Sequence, residues 1–177
     1  STNDTENIMS DILLKIPSIR YIKLAKNCDH GTAWLTGMQN AIGDFVVTVN
    51  IFDPLDKIPE LVNLSRGGHD IVIGSAINLK KSMSYAIVHN VARKIINNIS
   101  RINLIGGTTN FNCFSRNAIN AITNFSNKFS DLYVRIHSTG YPVTTFSYEV
   151  ANRSLSKKKT VFLELQRGLS ILISTSF

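Results

Sequence analysis

Asn27 to Val49 reads N-C-D-H-G-T-A-W-L-T-G-M-Q-N-A-I-G-D-F-V-V-T-V, and no other stretch narrows the possible folds as much. Thr32 to Ile42 is predicted to be a helix, with Ala33, Gly37 and Ala41 four residues apart along one face. Side chains that small let a helix lie close against a sheet. Gly43-Asp44 then makes a turn, and Phe45 to Val49 is an apolar run typical of a strand covered on both sides. A helix that turns at once into a doubly covered strand is a unit of α/β domains.

The rest of the chain alternates in the same way. Ile19 to Leu24 has the apolar alternation of a strand. Asp56 is placed to cap a helix that runs to Ser65 and ends at Gly67-Gly68. Asp70 to Gly74 reads as a short buried strand. Ser82 to Ile99 reads as a long helix with Tyr85, Val88, Ala92, Ile95, Ile96 and Ile99 on its apolar face. Phe111 to Phe114 is predicted as a strand, Arg116 to Phe125 as a helix and Val143 to Val150 as a strand, while Leu132 to His137 fits either state. Strands alternating with helices predict a mostly parallel sheet flanked by helices on both faces. No internal repeat or linker divides the 177 residues, so a single domain is expected.

Composition narrows the partners. A hydrophobic fraction of 44% excludes a disordered chain. Cys28 and Cys113 have neither the number for a disulfide framework nor the spacing of a metal site, and read as buried thiols in a reducing compartment. The net charge of +7 and pI near 9.6 call for an anionic partner. No zinc-finger spacing, basic-aromatic motif or long Arg/Lys tract is present, so no nucleic acid is expected. The four histidines fall into no hydrolase motif. Lys157-Lys158-Lys159 precedes Val161, Phe162, Leu163, Leu165, Leu169, Ile171, Leu172 and Ile173. That apolar stretch is shorter than the ~20 residues that span a bilayer. Residues 157–177 therefore read either as a juxtamembrane helix on an anionic surface or as a helix packed on the domain.

The Asn27 to Asp44 stretch resembles the family 2 glycosyltransferases of the GT-A fold, especially the polyprenyl-phosphate (dolichol-phosphate type) hexosyltransferases. Their run N-x-G-H-x-x-A-x-x-x-G-x-x-x-A-x-G-D is matched without a gap at Asn27, His30, Ala33, Gly37, Ala41, Gly43 and Asp44. Ser1 to Thr5 looks like the end of the family's nucleotide loop, which implies a strand before Ser1. Pro59-Glu60-Leu61, His69 to Gly74 and Phe111 to Arg116 are similar to later family segments in the same order. Arg153 to Lys157 looks like a shortened phosphate loop.

The resemblance implies a site, and this chain departs from it at several positions. The family holds a divalent cation, Mg or Mn, with the two aspartates of D-x-D, to offset charge on the leaving diphosphate. Aligned without gaps, those positions are Asn50 and Phe52, and Phe52 cannot ligate a metal. A small local shift brings Asp53 to the site, with Asn50 supplying a neutral oxygen; the plainer reading is an Asp53-Pro54 turn. The family's acceptor-side Asp is Asn110 here, its following Arg is Asn112, and the Arg after the strand glycine is Ala76. Asparagine takes no proton and so cannot be a general base. A lipid phosphate acceptor is already ionised and needs cations instead, for which Arg116, Arg153 and Lys157 are the matching residues. Ser1, Asn27 and His30 fall on the donor-binding side of the family pattern.

Three functions follow as expectations. The first is transfer of a hexose from a nucleotide-diphosphate sugar to a polyprenyl phosphate, at the cytoplasmic, inner face of the cell membrane, for a cell-surface polysaccharide. The second is the same transfer to a glycan hydroxyl. The third is a catalytically weak or inactive homologue that binds a nucleotide sugar or a partner, suggested by Asn50, Phe52, Ala76, Asn110 and Asn112 together.

Overall fold

The computed structural model describes residues 3–51, 53–77, 108–124 and 132–149. Ser1, the helix expected over Ser82 to Ile99, Arg153, Lys157 and the expected helix over 157–177 lie outside the described residues.

Strands β1 (Phe45–Thr48), β2 (Ile71–Ala76), β3 (Thr108–Ser115) and β4 (Val143–Tyr148) form one sheet in the order β1-β3-β2-β4. β3 is antiparallel to β1 and β2, and β4 is parallel to β2. Three strands therefore run one way and β3 alone runs against them. The expectation of a mostly parallel sheet holds for strand direction, with β3 making the sheet mixed.

Why β2 is central follows from its residues. Ile71, Val72 and Ile73 are all buried, as a strand covered on both faces requires. Odd and even positions go to opposite faces. Ile71 and Ile73 join Met38, Phe114, Ala118, Ile119, Ile122, Leu132 and Ile136 on one face. Phe114 comes from β3 and the others from α2 (His30–Asn40), α4 (Arg116–Asn124) and α5 (Leu132–Ser138). Val72 and Ala76 join Leu61, Phe111, Cys113 and Tyr148 on the other face, where α3 (Ile58–Arg66) packs. Each fully buried large apolar side chain stabilises by roughly 1.5–3 kcal/mol, so the two clusters supply most of the driving force. The segment that fitted either state is thus a helix, because Leu132 and Ile136, four apart, both face the core.

Several local expectations are corrected. Ile19 to Leu24 is not a strand of the sheet but an irregular segment outside it, with Ile19, Tyr21 and Ile22 37%, 38% and 38% exposed. Alternation provides two faces, but a strand also needs a neighbour's N–H and C=O groups, and among the described residues none pair with it. Upstream, Asn3–Lys15 forms α1, where the sequence suggests only a loop at its start.

The small-residue face of α2 does not lie on the sheet. Ala33 and Gly37 are exposed, and nothing stands within 4 Å of a side chain built at Gly37. Trp34, Leu35 and Met38 face the core instead, where α2 packs chiefly against α4 and α5, since they remove far more apolar surface from water. Asp29 caps this helix, its carboxylate accepting from Thr32 N at 3.0 Å and Thr32 Oγ1 at 2.8 Å. Burial opposes ionisation there, but the Thr32 bonds outweigh it and hold the Asp29 carboxyl below its usual range.

Asp56 does not cap α3. It sits inside a 3-10 turn, Leu55–Lys57, and Lys57 takes the cap position without a side-chain bond. Pro59 in the first turn suits the start, where its missing N–H costs nothing. Among the described residues, no helix is long and apolar enough to cross a membrane.

Candidate active site at the strand ends

β1, β2 and β4 end along one edge of the sheet, and β3 begins there. Ligands of open α/β sheets bind outside such carboxyl ends. β1 leads directly into a tight turn at this edge. Asp53 N donates to Asn50 O at 3.1 Å, and Asn50 N donates back to Asp53 Oδ2 at 2.6 Å. This reciprocal pair closes the turn from both sides, so the plain turn reading of Asp53-Pro54 is correct as far as it goes.

The other carboxylate oxygen looks across the sheet. Tyr148 Oη, at the end of β4, lies 3.3 Å from Asp53 Oδ1 and 2.8 Å from Thr109 Oγ1 on β3. Asp53 is half-buried rather than turned out to solvent. Asn110 follows Thr109 directly, and its carbonyl accepts from Thr48 Oγ1 at 2.6 Å. Asn50, Asp53 and Asn110 are thus gathered at one strand-end edge, with Asn50 exposed and Asn110 half-buried. Burial pushes the Tyr148 hydroxyl up to about 12; the bond with Thr109 works against this and the Asp53 carboxylate adds to it. Tyr148 therefore stays a proton donor at any ordinary working pH.

β3 bulges beside this cluster: its register with β2 passes from Ile73↔Asn112 to Ser75↔Thr108, while β2 stays in unbroken register with β4. At the bulge the Gly74 N–H donates to Asn112 Oδ1 at 3.2 Å. Asn112 is 4% exposed. The residue that replaces the family's Arg is thus an internal partner for the β2 backbone. Gly74 O in turn accepts from Thr109 Oγ1 at 3.2 Å. The bulge and the Tyr148–Asp53 contact share Thr109.

Other residues named from sequence lie elsewhere. Arg116 follows the last residue of β3, at the opposite end of the sheet. Its Nε donates to Gly43 O at 2.8 Å, and its Nη2 donates to Ala41 O at 3.0 Å and also to Gly43 O. From Asn110 to Ser115, β3 rises roughly 17 Å, so Arg116 clamps the α2–β1 turn far from Asp53. Gly43 in that turn has φ of 133°, a conformation that suits glycine. Asn27 is exposed in the loop before α2, and His30 is exposed at the first residue of that helix. Neither touches the Asp53 cluster through any contact described above. The sequence reading misses Tyr148 and Thr109, and takes Asn112 only as a departure from the family's Arg. The only signal for Tyr148 was its place near the end of an expected strand, where a polar-tipped aromatic side chain can face a site.

Chemically the cluster joins the Asp53 carboxylate to the Tyr148 and Thr109 hydroxyls, with Asn50 and Asn110 beside it. Among the described residues, no three His, Cys, Asp or Glu side chains come together as an all-protein metal cage. Magnesium is often held by one or two carboxylates plus substrate phosphates. Asp53 with the Asn50 amide oxygen fits that kind of site, in which the substrate completes the ligand set.

A mixed sheet between helical layers, with its polar cluster at the strand ends, is a GT-A, Rossmann-like α/β domain. Residues 1–123 match the model of glycosyl transferase family 2, and the chain belongs to that family. It is 25% identical over 134 residues to "Putative glycosyltransferase CsbB" of Bacillus subtilis (strain 168), covering 73% of this chain. The aligned part is 41% of that relative's length. The fold also resembles the crystal structure of 4-diphosphocytidyl-2C-methyl-D-erythritolsynthase from Anaerococcus prevotii DSM 20548. That match has a TM-score of 0.53 and 16% identity, covering 93% of this chain and 78% of that one.

Proposed function

We propose that this domain transfers a hexose from a nucleotide-diphosphate sugar to a polyprenyl phosphate at the inner face of the cell membrane. The observation that carries the reading is the Asp53 carboxylate, fixed at the strand-end edge by Asn50 N and facing the Tyr148 hydroxyl. Asp53 and Asn50 stand where the donor diphosphate arrives and are the residues to hold a Mg or Mn ion with it. A bound cation of this kind offsets charge on the leaving diphosphate. Asn110 at the same edge orients the acceptor by hydrogen bonding, because its amide takes no proton. A phosphate acceptor suits that chemistry, since it attacks without being deprotonated. Arg153 and Lys157 are the cations assigned to it, and Lys157-Lys158-Lys159 the contact with an anionic bilayer, at about 1 kcal/mol per lysine near the surface.

Calorimetry of the protein with a panel of nucleotide-diphosphate sugars, with and without manganese or magnesium, tests the donor half. One sugar nucleotide is expected to bind in a cation-dependent way that Asp53→Asn abolishes. Cation-independent binding that survives Asp53→Asn would refute the role of Asp53. The neutral amides at Asn50 and Asn110 favour a second reading, a nucleotide-sugar-binding homologue without turnover. Donor binding with no transfer to polyprenyl phosphate or glycan acceptors would select it.

A further inference from the structure

The Tyr148 contact joins residues 95 positions apart, from the loop after β1 to the end of β4. Its ring has little freedom to move. A side chain on Gly74 would lie 2.9 Å from Tyr148 Cε1, so the ring sits in the space that glycine leaves open. Phe111 packs edge-on at a centroid distance of 5.1 Å, and Phe146 lies near-parallel at 6.2 Å. A ring held on three sides places its hydroxyl at a fixed point.

Proton accounting shows what that hydroxyl can do. Tyr148 and Thr109 carry one O–H proton each. Within reach are four acceptor atoms: Asp53 Oδ1, Gly74 O and the two hydroxyl oxygens themselves. Two arrangements place a proton in the 2.8 Å contact between the hydroxyls. In one, Tyr148 donates to Asp53 and Thr109 donates to Tyr148. In the other, Tyr148 donates to Thr109, Thr109 donates to Gly74 O, and Asp53 Oδ1 is left for another donor or a cation. The distances of 2.8 Å to Thr109 and 3.3 Å to Asp53 leave both within hydrogen-bond range.

We propose that Tyr148 is a positioning residue for Asp53: its hydroxyl holds Oδ1 while Asn50 N holds Oδ2, and it turns to Thr109 when Asp53 takes up its ligand. The inference rests on the reading of Asp53 as the diphosphate-side carboxylate. It means that the carboxylate is already oriented before the donor binds, and that releasing Oδ1 leaves no proton donor unpaired, because Thr109 and Gly74 O absorb the change. The expected magnitude is that of a residue supporting a metal ligand, roughly 10-fold in affinity.

The test uses Tyr148→Phe, which keeps the ring and removes only the hydroxyl. Two readouts are needed. The first is the Asn50 backbone amide in 1H–15N spectra, which reports on Asp53 Oδ2 whatever the protein binds. Tyr148→Phe is expected to shift that resonance and speed its hydrogen exchange several-fold, and an unchanged Asn50 amide would overturn the proposal. The second is affinity for a manganese–nucleoside-diphosphate probe in wild type, Tyr148→Phe, Asp53→Ala and the double variant. Tyr148→Phe should weaken binding roughly 10-fold in the wild-type background and have no effect when Asp53 is already Ala. Equal weakening in both backgrounds would make Tyr148 a merely structural residue and overturn the proposal. A changed Asn50 amide in a protein that binds no such probe would uphold the positioning and refute the functional reading instead.

Discussion

Gly74→Ala tests the close approach of β2 and β3 on which the strand-end cluster is built. A Cβ at this position would stand 2.2 Å from the Phe111 carbonyl oxygen, 2.9 Å from Tyr148 Cε1 and 3.0 Å from Thr109 Oγ1. The side-chain contacts can relax, but the carbonyl belongs to β3, which is bonded to β2 on one side and β1 on the other. A carbon and a carbonyl oxygen sit comfortably at about 3.3–3.6 Å, so the strands must part by roughly 1 Å. That opening strains the bonds from Gly74 N to Asn112 and from Thr109 to Gly74 O. Two hydrogen bonds at about 1 kcal/mol each and an overpacking cost of ~1–3 kcal/mol give a loss of about 3–5 kcal/mol. At ~2–4 °C per kcal/mol for a domain of this size, Tm should fall by about 6–20 °C. Gly37→Ala is the matched control. Gly37 is exposed in α2 with nothing within 4 Å of its added carbon, so the change should stabilise by up to ~1 kcal/mol through helix propensity. Thermal unfolding followed by circular dichroism reads both. A Gly74→Ala variant melting within ~2 °C of wild type would refute the strand geometry. A Gly37→Ala variant losing as much as Gly74→Ala would show that the small-residue face of α2 is covered after all.

Asn112→Leu leaves the Gly74 N–H without its acceptor and should cost ~1–3 kcal/mol in urea unfolding; an unchanged midpoint would mean that the bulge finds another partner. Asp29→Ala removes the α2 cap and should cost ~1 kcal/mol, whereas Asp29→Asn, which still accepts from Thr32, should cost clearly less. Burial holds the His137 imidazole below its ordinary pKa, so the unfolded chain binds the proton first as pH falls. The His137 contribution is therefore full above about 6.5 and is lost as pH drops toward the lowered folded value. His137→Asn should flatten that part of a urea-midpoint profile, and an unaltered profile would refute the assignment.

Much of the fold was legible because it depends on patterns that survive any tertiary context. The run Ile71-Val72-Ile73 has no polar side, and burial on both faces is what such a run requires. Gly43-Asp44 marked its turn because glycine is needed at positive φ. The failures have a common cause. Ile19 to Leu24 shows strand alternation, but alternation does not say whether a neighbouring backbone is there to pair with it. Ala33 and Gly37 show that a face is small, not that something lies against it. In both cases a local pattern was read as a long-range contact, and the partner decides the contact.

The candidate site was half legible for a related reason. Asp53 and Asn50 are three residues apart, so a turn that joins them is written locally, and the reciprocal bonds between them follow. Arg116 was read as a phosphate ligand from its local motif, while its guanidinium closes a turn 73 residues upstream. Tyr148 and Thr109 meet Asp53 only because the order β1-β3-β2-β4 carries three distant strand ends to one edge. The departures at Asn50, Asn110 and Asn112 also separate in this light. Asn112 turns inward and serves the backbone of β2, so its change from the family's residue bears on the scaffold. Asn50 and Asn110 stand at the strand-end edge, where the proposed chemistry lies. On the proposed reading, a search for lost function belongs at those two amides and at Asp53 beside them.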